Sequence, residues 1–174
     1  MAYEKSGREG CPEGKIKVIK ILDALNRHGA KYIVIGGWAV ILHGADRITD
    51  DLDIVIEPSK ENLLKIIKAL REFSEDESLD GLEKLEPTQY EVTKIVLKDL
   101  DLEIDLIRNM GEVDYLKAIE DAQVVDFNGI KVKIAGLDKL IEMIKSKRLL
   151  RPKDQMDLLF LKGKKESLEK QGEL

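Results

Sequence analysis

Cysteine occurs once in the 174 residues, as Cys11, so neither a disulfide framework nor a multi-cysteine zinc site can be assembled. No apolar run reaches the length of a membrane span and no secretory signal opens the chain. A cytoplasmic protein with no membrane partner is therefore the expectation. Asn and Gln are scarce beside Lys, Glu and Ile, a balance met in heat-adapted proteins. Internal repeats and low-complexity tracts are missing too. The formal net charge of −5 tells against broad, non-specific binding to a polyanion, although it leaves room for a local basic patch.

What is present suffices for one packed domain, with 43% apolar residues to form a core and 36% charged residues to coat it. Residues 1–14 hold few apolar groups and three glycines and read as a flexible tail; residues 15–174 read as the domain. Val18, Ile19, Leu22 and Leu25 recur at helical spacing from Lys15 to about His28, and Gly29 closes that helix. "KYIVIG" reads as a buried strand that Gly36 and Gly37 end, opening a short helix from Trp38 to His43. "DLDIVIE" is a second strand, and Pro58-Ser59 starts a helix to about Phe73. The acidic stretch "SEDESLDGLEKLEP" reads as a solvated loop with room for one short helical piece. "YEVTKIVLK" and "DLEIDLI" form a hairpin, and a short helix covers Val113 to Glu120. "AQVVDF" and "IKVKIA" form a second hairpin around Asn128-Gly129. Two helices follow, Gly136 to about Leu149 and Arg151 to about Lys162, with Gly163 as the stop. The fold class is α/β (α+β), a mixed sheet of five to six strands with flanking helices.

Chemistry concentrates in "VIGGWAVILHGADRITDDLDIVIE", residues 34–57. Asp51 and Asp53 point the same way from one strand, roughly 6.6–7 Å apart along it. Carboxylates repel each other and resist burial, so water, a turn or a cation must compensate. Hard oxygen ligands suit Mg²⁺ or Mn²⁺. A third carboxylate, Asp105 or its neighbour Glu103, can complete the set if "LEIDLI" lies beside "DLDIVIE". Gly36-Gly37 leaves backbone N–H groups open to phosphate oxygens at a helix start. The Gly-Lys-Ser/Thr ending of a Walker loop is absent.

Gly-Gly, a short helix and then Asp-apolar-Asp-apolar, with thirteen residues between Gly37 and Asp51, resembles the signature of the nucleotidyltransferase superfamily, the polymerase-beta-like fold. "GGWAVILHGADRITDDLDIVI" looks like small bacterial and archaeal members, a subgroup that includes the abortive-infection nucleotidyltransferase toxins. There Arg-x-Thr-x-Asp-apolar-Asp is usual, and Arg47, Thr49, Asp51 and Asp53 match it. Near the C-terminus, Arg151, Lys153, Asp154 and Asp157 fill most of a Gly-Arg-x-Lys-Asp-apolar-x-Asp stretch, with Leu150 and Gln155 departing from it. Gly37 stands where many members carry Ser.

The resemblance implies transfer of a nucleotidyl group from an NTP substrate to an acceptor hydroxyl. Asp51, Asp53 and Asp105 would be the catalytic metal ligands for Mg²⁺ or Mn²⁺, and Gly36, Gly37, Arg47, Thr49 and Lys145 the phosphate contacts. The acceptor is RNA, a protein or a small molecule, and a toxin would bring an antitoxin partner. The alternative is an inactive nucleotide-binding or interaction module. Each role has a plainer rival: Arg47 pairs with a neighbouring Asp, Thr49 caps a turn, and Lys145 lies on a solvated helix face. Asp154 and Asp157, one helical turn apart, anchor Lys145 or Arg151. His43 and Trp38 are read as structural, and Asp50 as surface.

Overall fold

The structure is a computed structural model that describes residues 12–75, 77–84, 92–110 and 113–172; the expected tail lies outside them except for residues 12–14. Its centre is a six-stranded mixed sheet in the order β3-β4-β2-β1-β8-β7. β1 (Tyr32–Ile35) is buried along its whole length, as its unbroken apolar run requires of a central strand. It pairs antiparallel with β2 (Asp51–Ile56) and parallel with β8 (Ile130–Ile134). β4 (Leu102–Ile107) runs parallel to β2. β3 (Val92–Leu97) closes one edge antiparallel to β4, and β7 (Gln123–Phe127) closes the other antiparallel to β8.

Both hairpins follow the sequence expectation. Asn128 and Gly129 take positive φ angles of 49° and 92°, the conformation an Asn-Gly turn supplies at little steric cost. The β3–β4 link is a single 3₁₀ turn over Lys98–Leu100 closed by Asp101 in the left-handed region. Leu52, Ile54, Ile104 and Leu106 are almost completely buried on the inner face of their strands, which leaves Asp51, Asp53, Glu103 and Asp105 on the other.

Helices cover the sheet. α1 (Pro12–Arg27) and α3 (Lys60–Leu70) pack against each other. α1 begins at Pro12 rather than Lys15, because Pro is tolerated in a helix's first turn. α2 (Gly36–Leu42) includes the diglycine instead of following it. α4 (Glu77–Lys84) lies inside the acidic stretch, with Leu79 and Leu82 buried. The helix expected from Val113 starts later. Asn109–Met110 (β5) and Val113–Asp114 (β6) form a small antiparallel ladder, and Asp114 caps α5 (Tyr115–Ile119) by accepting from the Lys117 N–H at 2.8 Å.

α6 (Leu137–Lys145) ends earlier than expected. α7 (Pro152–Lys170) runs straight through Gly163. A mid-helix Gly costs only about 1 kcal/mol relative to Ala, and contacts on both sides hold the helix: Lys164 donates to the His43 carbonyl, and Lys165 pairs with Asp138 at 2.6 Å. None of the described helices is long and apolar enough to cross a membrane.

One buried polar residue ties α3 to the sheet. Asn62 accepts from the Lys31 N–H at 2.7 Å and donates to the carbonyls of Lys31 and Glu57 at 2.9 and 2.8 Å. Its own N–H is received by the Ser59 hydroxyl, the helix cap. Asn62→Ala strands two backbone groups, the Lys31 N–H and the Glu57 carbonyl, since the Lys31 carbonyl keeps the Glu57 N–H, and is expected to lower unfolding stability by about 2–3 kcal/mol, measured by urea denaturation; a loss below about 0.5 kcal/mol would contradict this account.

Candidate active site

The parallel pairing of β2 and β4 sets Asp51 across from Glu103 and Asp53 across from Asp105. This is the adjacency the acidic triad needs. Burial pushes the Asp53 carboxyl up to about 7, reinforced by a hydrogen bond that its protonated form donates to Asp105 and by the charges of Asp105 and Asp51, with Lys147 pulling the other way. Asp51 is raised too, first by burial and then by Glu103, against the pull of Lys94. One Asp105 oxygen, Oδ1, is buried with no hydrogen-bond partner; the Lys94 ammonium stands 3.9 Å from it. No group of three or more His, Cys, Asp or Glu among the described residues is gathered closely enough to hold a metal ion. The site therefore presents converging carboxylates with unspent acceptor capacity rather than a closed cage.

The diglycine lies directly against this cluster. Gly36 has a positive φ of 64°, and a Cβ there would collide with the Asp53 carboxylate. A Cβ on Gly37 would collide with the Arg47 guanidinium and crowd the Thr49 side chain. Both glycines are thus demanded by close approach, and the α2 N-terminus carries no side-chain cap.

Gly36, Gly37, Arg47, Thr49, Asp51, Asp53 and Asp105 all line one cavity of about 610 Å³. Of the expected site residues only Lys145 is not among its lining. It is the exposed last residue of α6, whereas Lys147, two positions on, lines the cavity with Lys153, Arg151, Asp154 and Asp157. α6 ends at Lys145 and the chain turns at Ser146, and the lysine that lines the cavity is the one beyond the turn. Ile107, Val113, Leu140, Met143 and Ile144 form an apolar wall that no motif announced.

Arg47 does pair with an aspartate, but a distant one: its Nε meets Asp157 Oδ1 at 3.0 Å. Its Nη1 is buried without a hydrogen-bond partner. Asp154 holds Lys147 at 2.7 Å and accepts from the Arg151 N–H at 3.0 Å. Burial opposes ionisation of Asp154, yet these partners hold its carboxyl at about 2. His43 is buried and its Nε2 donates to the Ala135 carbonyl at 2.8 Å; burial lowers its pKa, which suits a structural, neutral imidazole. Trp38 is buried with its ring 5.8 Å from that of Phe127.

A diglycine at a strand-to-helix junction thus faces two aspartates of β2, with a third across the parallel ladder on β4. Solved structures share the fold: a protein of Thermotoga maritima described as a candidate nucleotidyltransferase (TM-score 0.54, 16% identity, 88% of each chain covered), the lincosamide antibiotic adenylyltransferase LnuA with lincomycin bound (TM-score 0.57, 16% identity, 84% of this chain and 94% of that one), and an antigenic nucleotidyltransferase-like protein of Paracoccidioides brasiliensis (TM-score 0.51, 16% identity, 84% and 75%). No curated protein sequence matches the chain significantly. Residues 17–147 match the aminoglycoside-2''-adenylyltransferase family, and the chain belongs to it.

The raised Asp53 carboxyl has a consequence for stability. A group whose folded pKa lies above its ordinary value of 3.8 stabilises fully below that value and loses the contribution as pH rises through about 7. In the presence of a chelator, Asp53→Asn is expected to remove a fall in melting temperature between pH 5.5 and 8 that the natural protein shows; equal slopes in both would refute the carboxylate cluster as its cause. Gly36→Ala is expected to cost about 2 kcal/mol through the left-handed backbone alone and to reduce nucleotidyl transfer further by displacing Asp53, which thermal unfolding and an initial-rate assay separate.

Proposed function

We propose that this protein transfers an adenylyl group from ATP to a hydroxyl of a small, amine-rich acceptor. The observation that carries the proposal is the position of Asp51, which lines two cavities of different charge balance. The first is the 610 Å³ cavity described above, where the diglycine lies beside four cations, Arg47, Lys147, Arg151 and Lys153, that offset five aspartates. The second, of about 640 Å³, is lined by Glu13, Asp50, Asp51, Asp101 and Glu103 against only two cations, Lys17 and Arg47. An anionic donor fits the first and a cationic acceptor the second, with the transfer point between them.

In this reading the triphosphate lies against the backbone N–H groups of Gly36 and Gly37. Arg47 Nη1, the Thr49 hydroxyl and Lys147 serve as further donors, Lys147 taking the part foreseen for Lys145. The nucleoside rests on the apolar wall of Leu140, Met143 and Ile144. Asp51, Asp53 and Asp105 suit Mg²⁺ or Mn²⁺, since carboxylates crowded on neighbouring strands gain most from a cation. Such an ion would supply charge neutralisation at the triphosphate and acidify the acceptor hydroxyl. Asp105 Oδ1, buried and unpartnered, is placed to accept the hydroxyl proton. The acceptor oxygen attacks the α-phosphorus in line, the bond to the β-phosphate oxygen breaks, and pyrophosphate departs. The family's name and the acidic groove together favour an aminoglycoside acceptor.

The test is incubation with α-labelled ATP, Mg²⁺ and, separately, aminoglycosides, lincosamides and total RNA. Label is expected on an aminoglycoside, and Asp51→Asn and Asp53→Asn are each expected to reduce it by about a thousandfold or more while still unfolding cooperatively. Label on RNA alone would overturn the acceptor assignment. Full activity in Asp51→Asn would overturn the site. ATP binding without transfer to any acceptor would mark an inactive nucleotide-binding module.

A further inference from the structure

Helix α7 lies beyond the family-matched residues 17–147, yet it supplies two of the least exposed acidic side chains among the described residues, Asp154 and Asp157, at 2% and 6% exposure. Their chain neighbours Lys153, Gln155 and Met156 are exposed, so these two carboxylates lie on the inward face of the helix, which Leu158 and Leu161 continue. A buried carboxylate is costly unless a cation meets it. Each meets a cation that lines the phosphate-suited cavity: Asp157 meets Arg47 at 3.0 Å and Asp154 meets Lys147 at 2.7 Å.

The geometry at Arg47 separates two roles within one guanidinium. Asp157 takes Nε. Nη1 is left buried and unpartnered, at the point where a Cβ on Gly37 would stand. A guanidinium is planar, so fixing Nε fixes the direction of Nη1. Without Asp157 the nearest relief for Arg47 is the aspartate cluster, and a direct pair there would consume both the cation and the carboxylates.

We propose that Asp157 is a positioning residue for nucleotide binding: it holds Arg47 by Nε so that Nη1 faces the diglycine and the phosphates, and keeps the guanidinium off the aspartates. Asp154 does the same for Lys147. This inference rests on the phosphate-site reading given above.

Calorimetric titration with α,β-methylene-ATP and Mg²⁺ tests both without needing turnover. Arg47→Ala weakens binding if the phosphate-site reading is right; unchanged binding in that variant overturns that reading, whatever Asp157 does. Given that loss, Asp157→Ala is expected to weaken binding by about tenfold, whereas Asp157→Asn, which keeps an oxygen for Nε, stays within about threefold. The double variant Arg47→Ala/Asp157→Ala is expected to bind no more weakly than Arg47→Ala alone, because a positioning residue has nothing left to position. Losses that multiply, or natural affinity in Asp157→Ala, would overturn the proposal. Should Asp157→Ala fail to fold, Arg47→Lys decides the matter. It keeps a cation for Asp157 but has no Nη1, so it is expected to bind weakly at an unchanged melting temperature; natural affinity there overturns the fork geometry.

Discussion

Like charges are forced together here by apolar packing. Asp53 and Asp105 are direct partners across the β2–β4 ladder, as are Asp51 and Glu103, and adjacent strands lie only about 4.8 Å apart. Their repulsion cannot be relieved by sliding one strand. A shift of β4 by one residue would turn Leu102, Ile104 and Leu106, all buried, toward water and bury its carboxylates in their stead. Burying one such side chain is worth about 1.5–3 kcal/mol, so three of them offset the burial and crowding that lift Asp53. The core therefore holds the acidic cluster in a state that invites a cation, and the need for Gly36 follows, because the Asp53 carboxylate occupies the space its side chain would take.

The cations are arranged around this cluster without collapsing onto it. Arg47 comes from the segment just before β2, and Lys147 from the turn after α6. Both are engaged by carboxylates of α7 rather than by Asp51, Asp53 or Asp105. Charge alternates outward from the sheet: aspartates on the strands, a layer of cations, then aspartates on the helix. An arrangement lacking the outer layer would settle into direct Arg–Asp pairs, which have good geometry and energy but leave nothing open. α7 is in turn fixed by contacts remote from the site, Lys164 to the His43 carbonyl and Lys165 to Asp138, so its passage through Gly163 bears on the placement of Asp157.

Local chemistry was legible in the sequence wherever it was carried by neighbours in the chain. The strand "DLDIVIE" and the Asn-Gly hairpin are read from period and turn type and lie where expected, whereas the diglycine, read from steric permissiveness, opens α2 from inside rather than preceding it. The adjacency of β2 and β4 was an inference from paired acidic strands, and the parallel register bears it out. What failed depended on where chains end or meet. Gly163 reads as a stop, yet tertiary contacts override a weak propensity. The resemblance implies Lys145, but α6 ends at it and Lys147, just past the turn, is the lysine that lines the cavity. The partner of Arg47 lies 110 residues away, at Asp157, and nothing local marks it; the only trace was two aspartates at helical spacing in an otherwise basic stretch.

The charge of the whole chain and the charge of its grooves point the same way on the acceptor. A net charge of −5 and a second groove with five carboxylates against two cations would repel a phosphodiester backbone approaching Asp51 from that side, and the interaction would weaken further as counterions are drawn back rather than released. An amine-rich molecule meets the opposite field, with Glu103 and Asp101 at the groove. An anionic donor needs cations, and more of them line the α7 side of Asp51, where Arg47, Lys147, Arg151 and Lys153 stand. Under the proposed function, the two substrates are sorted by sign of charge before any base or sugar is recognised, and the aspartate shared by both cavities marks the one place where they can meet.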